Sequence, residues 1–170
     1  MSTWAVITGA SSGLGAAYAA LLAQRGHHLL ITGRRESRLT EVSGTVRENF
    51  GVTVETVRCD LSEPSAIDEL CGRIRAIPSL EWMINNAGFG SSGSLAGGDI
   101  AQRRDMVRVH AEAPLTLTRA AIDKMVEISA GGRRTIINVG SLASILAVPG
   151  ASAYVGTKAF LLAFSECVAL

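Results

Sequence analysis

The segment Thr8-Gly9-Ala10-Ser11-Ser12-Gly13-Leu14-Gly15 decides how the whole chain is interpreted. It follows the apolar run 4–7, which is typical of a buried strand, and precedes a segment with helical periodicity that ends at Gly26. Glycine permits positive φ angles, and the free N–H groups at the start of a helix stabilise anions. This order of strand, tight turn and helix predicts a site for the pyrophosphate of a dinucleotide. The alternative is a glycine-rich turn that binds nothing.

Composition indicates one globular domain with nearly balanced charge. The 170 residues are 48% hydrophobic and carry a formal net charge of +1. The adjacent basic pairs are scattered, and such pairs are more often solvated ends of elements than parts of one patch: Arg34-Arg35, Arg103-Arg104 and Arg133-Arg134. We therefore expect no nucleic-acid partner. The apolar segment 151–170 contains Lys158 and Glu166, which favours a buried or interface helix over a membrane span.

The cysteines and the amino terminus indicate the compartment. Cys59, Cys71 and Cys167 lie far apart and show neither C-x-x-C nor Cys/His metal-ligand spacing. This pattern favours reduced thiols, no metal site and a cytoplasmic location. The amino terminus lacks a basic segment followed by a long apolar run, so no signal peptide is predicted.

Apolar runs alternate with helical periodicities along the chain. The predicted strands are the runs 4–7, 29–32, 52–57, 82–84 and 135–139. Apolar strands that alternate with helices predict an α/β fold, in which a doubly wound parallel sheet carries helices on both faces. Ligands of such sheets bind beyond the carboxyl ends of the strands. Most of the unusual polar motifs follow these ends: Asp60-Leu61, Asn85-Asn86-Ala87-Gly88 and Gly140-Ser141.

The helical segments predict which residues face the sheet. The expected stripe is Leu14, Ala17, Tyr18, Leu21 and Leu22 in the first helix, and Ile67, Leu70, Cys71 and Ile74 in the third. A long helix is predicted over 100–128 with a bend at Pro114, and a last helix from 151. The glycine- and serine-rich loop 89–98 suits a binding site better than a linker.

Tyr154 and Lys158 lie four residues apart in the last helix, and hence on one face of it. A tyrosine with its usual pKa of ~10 exchanges protons poorly at neutral pH, and a nearby cation favours the phenolate. Ser141, at the end of the fifth strand, offers a hydroxyl for a substrate oxygen beside the phenol. Taken alone, such a Tyr–Lys pair is more often a surface contact.

Together these motifs resemble, in order and spacing over nearly the whole chain, the classical subgroup of the short-chain dehydrogenase/reductase family. The resemblance implies a Rossmann-type sheet that lacks the family's last strands. It also implies a single dinucleotide-binding domain over residues 1–170 that is incomplete at its carboxyl end. Relatives commonly pair through their last two long helices, so a homodimer or homotetramer is expected.

The resemblance also implies residue roles. Tyr154 is expected to act as general acid or base, Lys158 to lower the tyrosine pKa and hold the nicotinamide ribose, and Ser141 to orient the carbonyl. The residues expected to bind the cofactor are Gly9, Ser11, Ser12, Gly13, Leu14, Gly15, Asp60, Leu61, Asn86, Ala87, Gly88, Tyr154 and Lys158.

Arg34 bears on the choice of cofactor. At the end of the second strand an acidic residue would bond the ribose 2′-hydroxyl, but here Gly33 is followed by Arg34 and Arg35. A guanidinium suits a phosphate, so we predict NADP(H) over NAD(H), with Arg34 as the main contact. Ser12 stands where NADP-preferring relatives often have a second basic residue.

His110 departs from the family, which usually has an asparagine at this position that holds a water in the proton relay. Histidine can both donate and accept hydrogen bonds, so one interpretation is a modified relay in which His110 is catalytic. The other is a core histidine with no catalytic part.

The implied function is an NADP(H)-dependent oxidoreductase that interconverts a ketone or aldehyde and an alcohol. Its partner would be a small carbonyl or alcohol substrate, with no membrane contact. The alternative is a truncated, catalytically impaired nucleotide-binding protein. A role without any nucleotide, and an epimerase or dehydratase, fit the glycine turn and its spacing less well.

Overall fold

The computed structural model describes residues 3–91, 93–127 and 133–168. Within these ranges the strands are β1 Trp4–Ile7, β2 His28–Gly33, β3 Val54–Arg58, β4 Leu80–Asn85 and β5 Thr135–Asn138. They form one sheet in the order β3-β2-β1-β4-β5, and each neighbouring pair is parallel. The chain order reverses beside β1, whose neighbours are β2 and β4. The predicted strands are therefore confirmed, with β3 beginning at Val54 rather than at residue 52.

Helices cover both faces of this sheet. They are α1 Gly13–Gln24, α2 Glu36–Phe50, α3 Pro64–Ala76, α4 Ile100–Val107, α5 Ala113–Glu127 and α6 Ser152–Val168. Successive side chains of a strand point to opposite faces, so Ala5 and Ile7 pack with α1 and α2, whereas Val6 packs with α3 and α5. The buried residues of α3 are the predicted ones: Ile67, Leu70, Cys71 and Ile74. The doubly wound α/β prediction is thus confirmed.

The apolar stripe predicted for α1 is confirmed at Leu22 and wrong at Leu14, Ala17 and Leu21, while Tyr18 is half-buried. Leu14 and Leu21 are exposed, and the buried residues are Gly15, Ala19, Leu22 and Ala23. A Cβ on Gly15 would collide with the carbonyl oxygen of Gly9, so only glycine fits at this contact. The contact sets the rotation of the helix and turns its small residues toward the sheet.

The long helix is interrupted one turn before the predicted position. Residues Arg108–Glu112 form a π-helical turn between α4 and α5, and Pro114 stands in the first turn of α5. Proline has no N–H to donate to the carbonyl of His110, four residues earlier, and a wider turn there accommodates the missing bond. The predicted end of the helix at residue 128 lies outside the described residues.

The strand β5 lies at one edge of the sheet. All of its residues are half-buried, whereas the last three residues of β1 are fully buried.

In the described ranges, no helix combines the length and the apolar content needed to cross a membrane.

Candidate active site

A crevice of about 700 Å³ runs along the carboxyl ends of the strands. Residues that follow each of the five strands line it, together with two side chains of α6: Gly9, Arg34, Asp60, Asn86, Gly140, Tyr154 and Lys158. The fold therefore brings together motifs from both ends of the chain.

The glycine-rich turn packs against the segment that follows β4. Gly9 has a φ of +67°, and a Cβ there would lie 2.8 Å from the Cα of Ala87. Asn86 Nδ2 donates hydrogen bonds to the carbonyls of Thr8 (2.9 Å) and Gly9 (3.2 Å). Thr8 Oγ1 accepts from the N–H groups of Asn86 and Ala87, both at 3.0 Å. The side chain of Asn86 thus holds the turn in place, a role that the sequence did not predict.

The amino-terminal end of α1 is open toward the crevice. Gly13 has a φ of +55°, and apart from its chain neighbours and the backbone of its own helix no described atom lies within 4 Å of where its Cβ would be. Within the described ranges, the side chain of the N-cap residue Ser12 makes no capping hydrogen bond. Ser12, Leu14 and Ser11 line the crevice. The first backbone N–H groups of α1 can therefore receive an anion.

Two arginines follow β2 at the edge of the crevice. Arg35 Nη2 donates to Ser12 Oγ at 2.7 Å and to Ser11 Oγ at 3.2 Å. This side chain connects the end of β2 to the glycine turn, a contact that the sequence did not predict. The sequence signal for this contact was the Arg34-Arg35 dipeptide, which does not indicate which of the two guanidinium groups contacts the glycine-rich segment.

Asp60 follows β3, the strand next to β2, and lines the crevice together with Arg34. Partial burial raises the pKa of this carboxyl, whereas hydrogen bonds from Ser62 N (3.0 Å) and Ser62 Oγ (2.7 Å) lower it. The positive charges of Arg34 and Arg58 lower the pKa further, so it lies below its usual value. Asp60 is therefore a carboxylate at neutral pH, and Leu61 beside it also lines the crevice.

Tyr154 and Lys158 lie on the crevice side of α6, as their spacing predicted. Lys158 is 6% exposed, and its Nζ donates a 2.8 Å hydrogen bond to the carbonyl of Val139. Burial lowers the pKa of Lys158. Tyr154 is half-buried. The carbonyl of Val139 is a site component that the sequence did not identify, because any residue type offers one.

Ser141 lies just beyond β5, next to the crevice residue Gly140. Its Oγ accepts a hydrogen bond from the N–H of Ala143 at 3.2 Å. That contact caps the single 3-10 turn Leu142–Ser144. The hydroxyl keeps its own hydrogen for another acceptor.

His110 is 1% exposed and lies in the π-helical turn. Its Nε2 accepts from the N–H of Phe89 at 3.0 Å, and its Nδ1 lies 3.1 Å from Thr157 Oγ1. The ring meets that of Tyr154 edge to face, with centroids 5.7 Å apart. Burial, assisted by the positive charge of Lys158, lowers the pKa of His110 to about 4. His110 is therefore neutral at pH 7.

Arg103 anchors the glycine-rich loop beside the crevice. It is 5% exposed, and its Nη2 donates to the carbonyls of Ser94 (2.7 Å) and Gly93 (3.4 Å). The N–H of Gly93 donates to the carbonyl of Gly150 at 2.8 Å, which joins this loop to the segment before α6. The expectation that Arg103 belongs to a solvated pair is therefore wrong, because its guanidinium is buried and donates hydrogen bonds to backbone carbonyls instead of to water.

The sequence has close relatives among known proteins. The family model for short chain dehydrogenase matches residues 3–170. Sulfoacetaldehyde reductase 2 of Chromohalobacter salexigens is 35% identical over 168 residues, which are 97% of this chain and 65% of that protein. The very-long-chain 3-oxoacyl-CoA reductase of Mus musculus is 31% identical over 99% of this chain and 54% of its own length. The chain thus spans less than two thirds of these relatives.

Solved structures agree with the fold. The bulky-bulky ketone specific alcohol dehydrogenase from Comamonas testosteroni superposes with a TM-score of 0.91 at 33% identity, over 98% of this chain and 66% of that one. A short-chain dehydrogenase from Sphingobium yanoikuyae in complex with NADPH gives 0.90 at 32% identity, over 98% and 64%. The glycine turn, the parallel sheet and the family match over 3–170 lead to one conclusion: this chain belongs to the short-chain dehydrogenase family.

Proposed function

We propose that this chain is the nucleotide-binding and catalytic part of an NADP(H)-dependent oxidoreductase that interconverts a ketone or aldehyde and an alcohol. The observation that carries the proposal is that Tyr154 and Lys158 line the same crevice as the glycine-rich turn. Relatives named as reductases, and a structural neighbour in complex with NADPH, support it.

The crevice fits a dinucleotide. The uncapped start of α1 and the open space at Gly13 suit a pyrophosphate. We propose that the cofactor is held by Gly9, Ser11, Ser12, Gly13, Leu14, Gly15, Arg34, Asp60, Leu61, Asn86, Ala87, Gly88, Tyr154 and Lys158. When bound, the nicotinamide supplies or accepts the hydride.

The preference for NADP(H) rests on the two arginines after β2. Both line the crevice, and Arg35 is already engaged by the hydroxyls of Ser11 and Ser12. We therefore propose Arg34 as the principal contact of a 2′-phosphate. Arg35 would hold the adjacent glycine-rich turn in place through Ser11 and Ser12. Guanidinium groups bind phosphate through charge-assisted hydrogen bonds, which are stronger than neutral ones.

Tyr154 is proposed to move the proton of the reaction. In reduction its phenol donates a proton to the substrate oxygen, and in oxidation its phenolate accepts one. The ammonium of Lys158, on the same face of α6, is held by the carbonyl of Val139, and we propose that it binds the nicotinamide ribose and assists the proton transfer. Ser141 is proposed to donate its hydroxyl hydrogen to the same substrate oxygen.

The test is NADPH consumption with a panel of ketones and aldehydes, together with NADPH fluorescence as a separate measure of binding. We expect the wild-type chain to consume NADPH and Tyr154→Phe to bind NADPH but turn over at least about 100-fold more slowly. Tyr18→Phe, at a half-buried position on α1, is the matched control and should leave turnover unchanged. NADPH binding without turnover in the wild type would favour the alternative, a nucleotide-binding protein without catalysis, and absence of both would overturn the proposal.

We also propose how the chain assembles and where it is located. It would form a homodimer or homotetramer of a single domain over 1–170. Its free cysteines, which favour a reducing compartment, support a cytoplasmic location: Cys59, Cys71 and Cys167. Light scattering of the purified chain measures its mass in solution, and a monomer with full turnover would contradict the assembly.

A further inference from the structure

His110 lies where three segments of the site meet. The π-helical turn Arg108–Glu112 carries it, the loop after β4 contacts it through Phe89, and α6 contacts it through Thr157. A Cβ on Gly88 would lie 3.0 Å from His110 Nε2, so the ring packs directly against the backbone there. The imidazole therefore connects segments that are far apart in the sequence.

The hydrogen bonds define the protonation of the ring. Nε2 accepts from the backbone N–H of Phe89, so Nε2 carries no hydrogen. A neutral imidazole then has its hydrogen on Nδ1, which donates to Thr157 Oγ1 at 3.1 Å. The Thr157 hydroxyl in turn donates to the carbonyl of Tyr154 at 2.9 Å. One directed chain of bonds thus runs from Phe89 through His110 to the turn of α6 that contains Tyr154 and Lys158.

This chain of bonds is unsuited to carrying protons. Both ring nitrogens are occupied, and the path beyond Nε2 ends at a backbone amide rather than at a hydroxyl or at solvent. A protonated ring would set Nε2–H against the N–H of Phe89, two donors facing each other. The buried ring also lies close enough to Lys158 for its charge to oppose protonation.

We propose that His110 is a positioning residue, a neutral Nδ1–H imidazole that holds the Tyr154–Lys158 turn of α6 against the Phe89 backbone, and that no proton passes through its ring. The proposal rests on the proposed function, which places these two side chains at the reacting end of the crevice. In this proposal Thr157 is the second positioning residue, because its hydroxyl connects His110 Nδ1 to the carbonyl of Tyr154.

The first test reads the tautomer directly. Long-range proton–nitrogen correlation spectra of the full chain, labelled with ¹⁵N-histidine, distinguish the two neutral tautomers and the imidazolium. The chain has three histidines, so His27→Gln and His28→Gln each identify one signal by its loss, and the remaining signal belongs to His110. We expect the neutral Nδ1–H tautomer at about pH 7. An Nε2–H tautomer or an imidazolium overturns the proposal, and this measurement requires no turnover.

The second test breaks the connection at Thr157. Thr157→Val removes the hydroxyl between His110 and Tyr154, and Thr157→Ser restores it. We expect Thr157→Val to lower kcat by about tenfold or more, with the NADPH dissociation constant unchanged within about twofold, because misplaced reacting groups slow the chemical step. Thr157→Ser should stay within about twofold of the wild type. Thr116→Val on α5, which removes a hydroxyl bonded to the carbonyl of Glu112, is the matched control outside the crevice.

The outcomes separate the two proposals. An unchanged kcat in Thr157→Val, or a loss that Thr157→Ser does not rescue, overturns the positioning role. If the wild type binds NADPH without turnover, the proposed function fails, while the tautomer still supports or overturns the geometry at His110. If Thr157→Val does not fold, as judged by circular dichroism, the tautomer of the wild type and of Thr157→Ser decides in the same way.

Discussion

Lys158 Nζ donates a 2.8 Å hydrogen bond to the carbonyl of Val139, which fixes the ammonium of α6 at the end of β5. Lys158 is buried, and it lies one helical turn from Tyr154 on the face of α6 that lines the crevice. The relationship couples the position of one helix to the end of one strand, and the proposed chemistry depends on it.

We expect Lys158→Met to slow turnover by about 100-fold or more, because the cation on the same face of α6 as Tyr154 is lost from the proposed site of proton transfer. Measurement of kcat and KM for NADPH and one ketone tests this. Lys124→Met on α5, where the lysine pairs with Glu127 away from the crevice, is the control and should behave as the wild type. Turnover by Lys158→Met at the wild-type rate would contradict the role of the ammonium.

The arginines after β2 should separate the two cofactors. Arg34→Ala is expected to weaken NADPH binding by about 1.5–3 kcal/mol, roughly 10-fold to 150-fold, and to leave NADH binding unchanged. Fluorescence titration with both cofactors measures the difference. The control is Arg38→Ala on α2, whose guanidinium forms an exposed ion pair with Glu41. If NADH binds as tightly as NADPH and Arg34→Ala alters neither, the cofactor preference is wrong.

Two glycines should respond to alanine in opposite directions. Gly15→Ala places a Cβ against the carbonyl of Gly9 and 2.6 Å from Asn86 Nδ2, so we expect a loss of about 1–3 kcal/mol of unfolding free energy and of NADPH binding. Gly44→Ala, inside α2 with no described atom within 4 Å of its Cβ, should gain about 0.5–1 kcal/mol. Urea unfolding of both variants tests this, and equal effects would mean that the turn does not pack as described.

His110 should make the stability depend on pH. The pKa of His110 is about 4 in the folded chain and 6.5 in the unfolded chain. As the pH falls, the unfolded chain therefore binds the additional proton before the folded chain does. The unfolding free energy therefore falls as the pH drops from about 6.5 to about 4, and the full effect is about 3 kcal/mol. Urea unfolding of the wild type and His110→Asn at several pH values measures the difference between them. The carboxylates contribute alike to both proteins, so parallel curves would show that His110 is not held neutral.

Much of the fold was predictable because its signals are local. The strands appear as apolar runs, and α3 buries the residues that its period of 3.6 assigns. The glycine turn, Asp60 and Asn86 follow strands, which sufficed to predict one crevice because the carboxyl ends of parallel strands meet at one edge. These inferences needed only periodicity and spacing, whereas the place of Tyr154 and Lys158 in the site was implied by the family resemblance.

Contacts between distant segments were decided by the tertiary structure. The rotation of α1 follows from the approach of Gly15 to Gly9, and the π-helical turn places His110 between Phe89 and Thr157. Arg35 rather than Arg34 meets the glycine turn, across 24 residues of sequence. The sequence alone determined the strands, the helices and the edge of the sheet at which the crevice lies, since these depend on local periodicity and chain order. Which side chains touch there was decided only by the packed fold, because hydrogen bonds and close contacts depend on distances that no local pattern specifies.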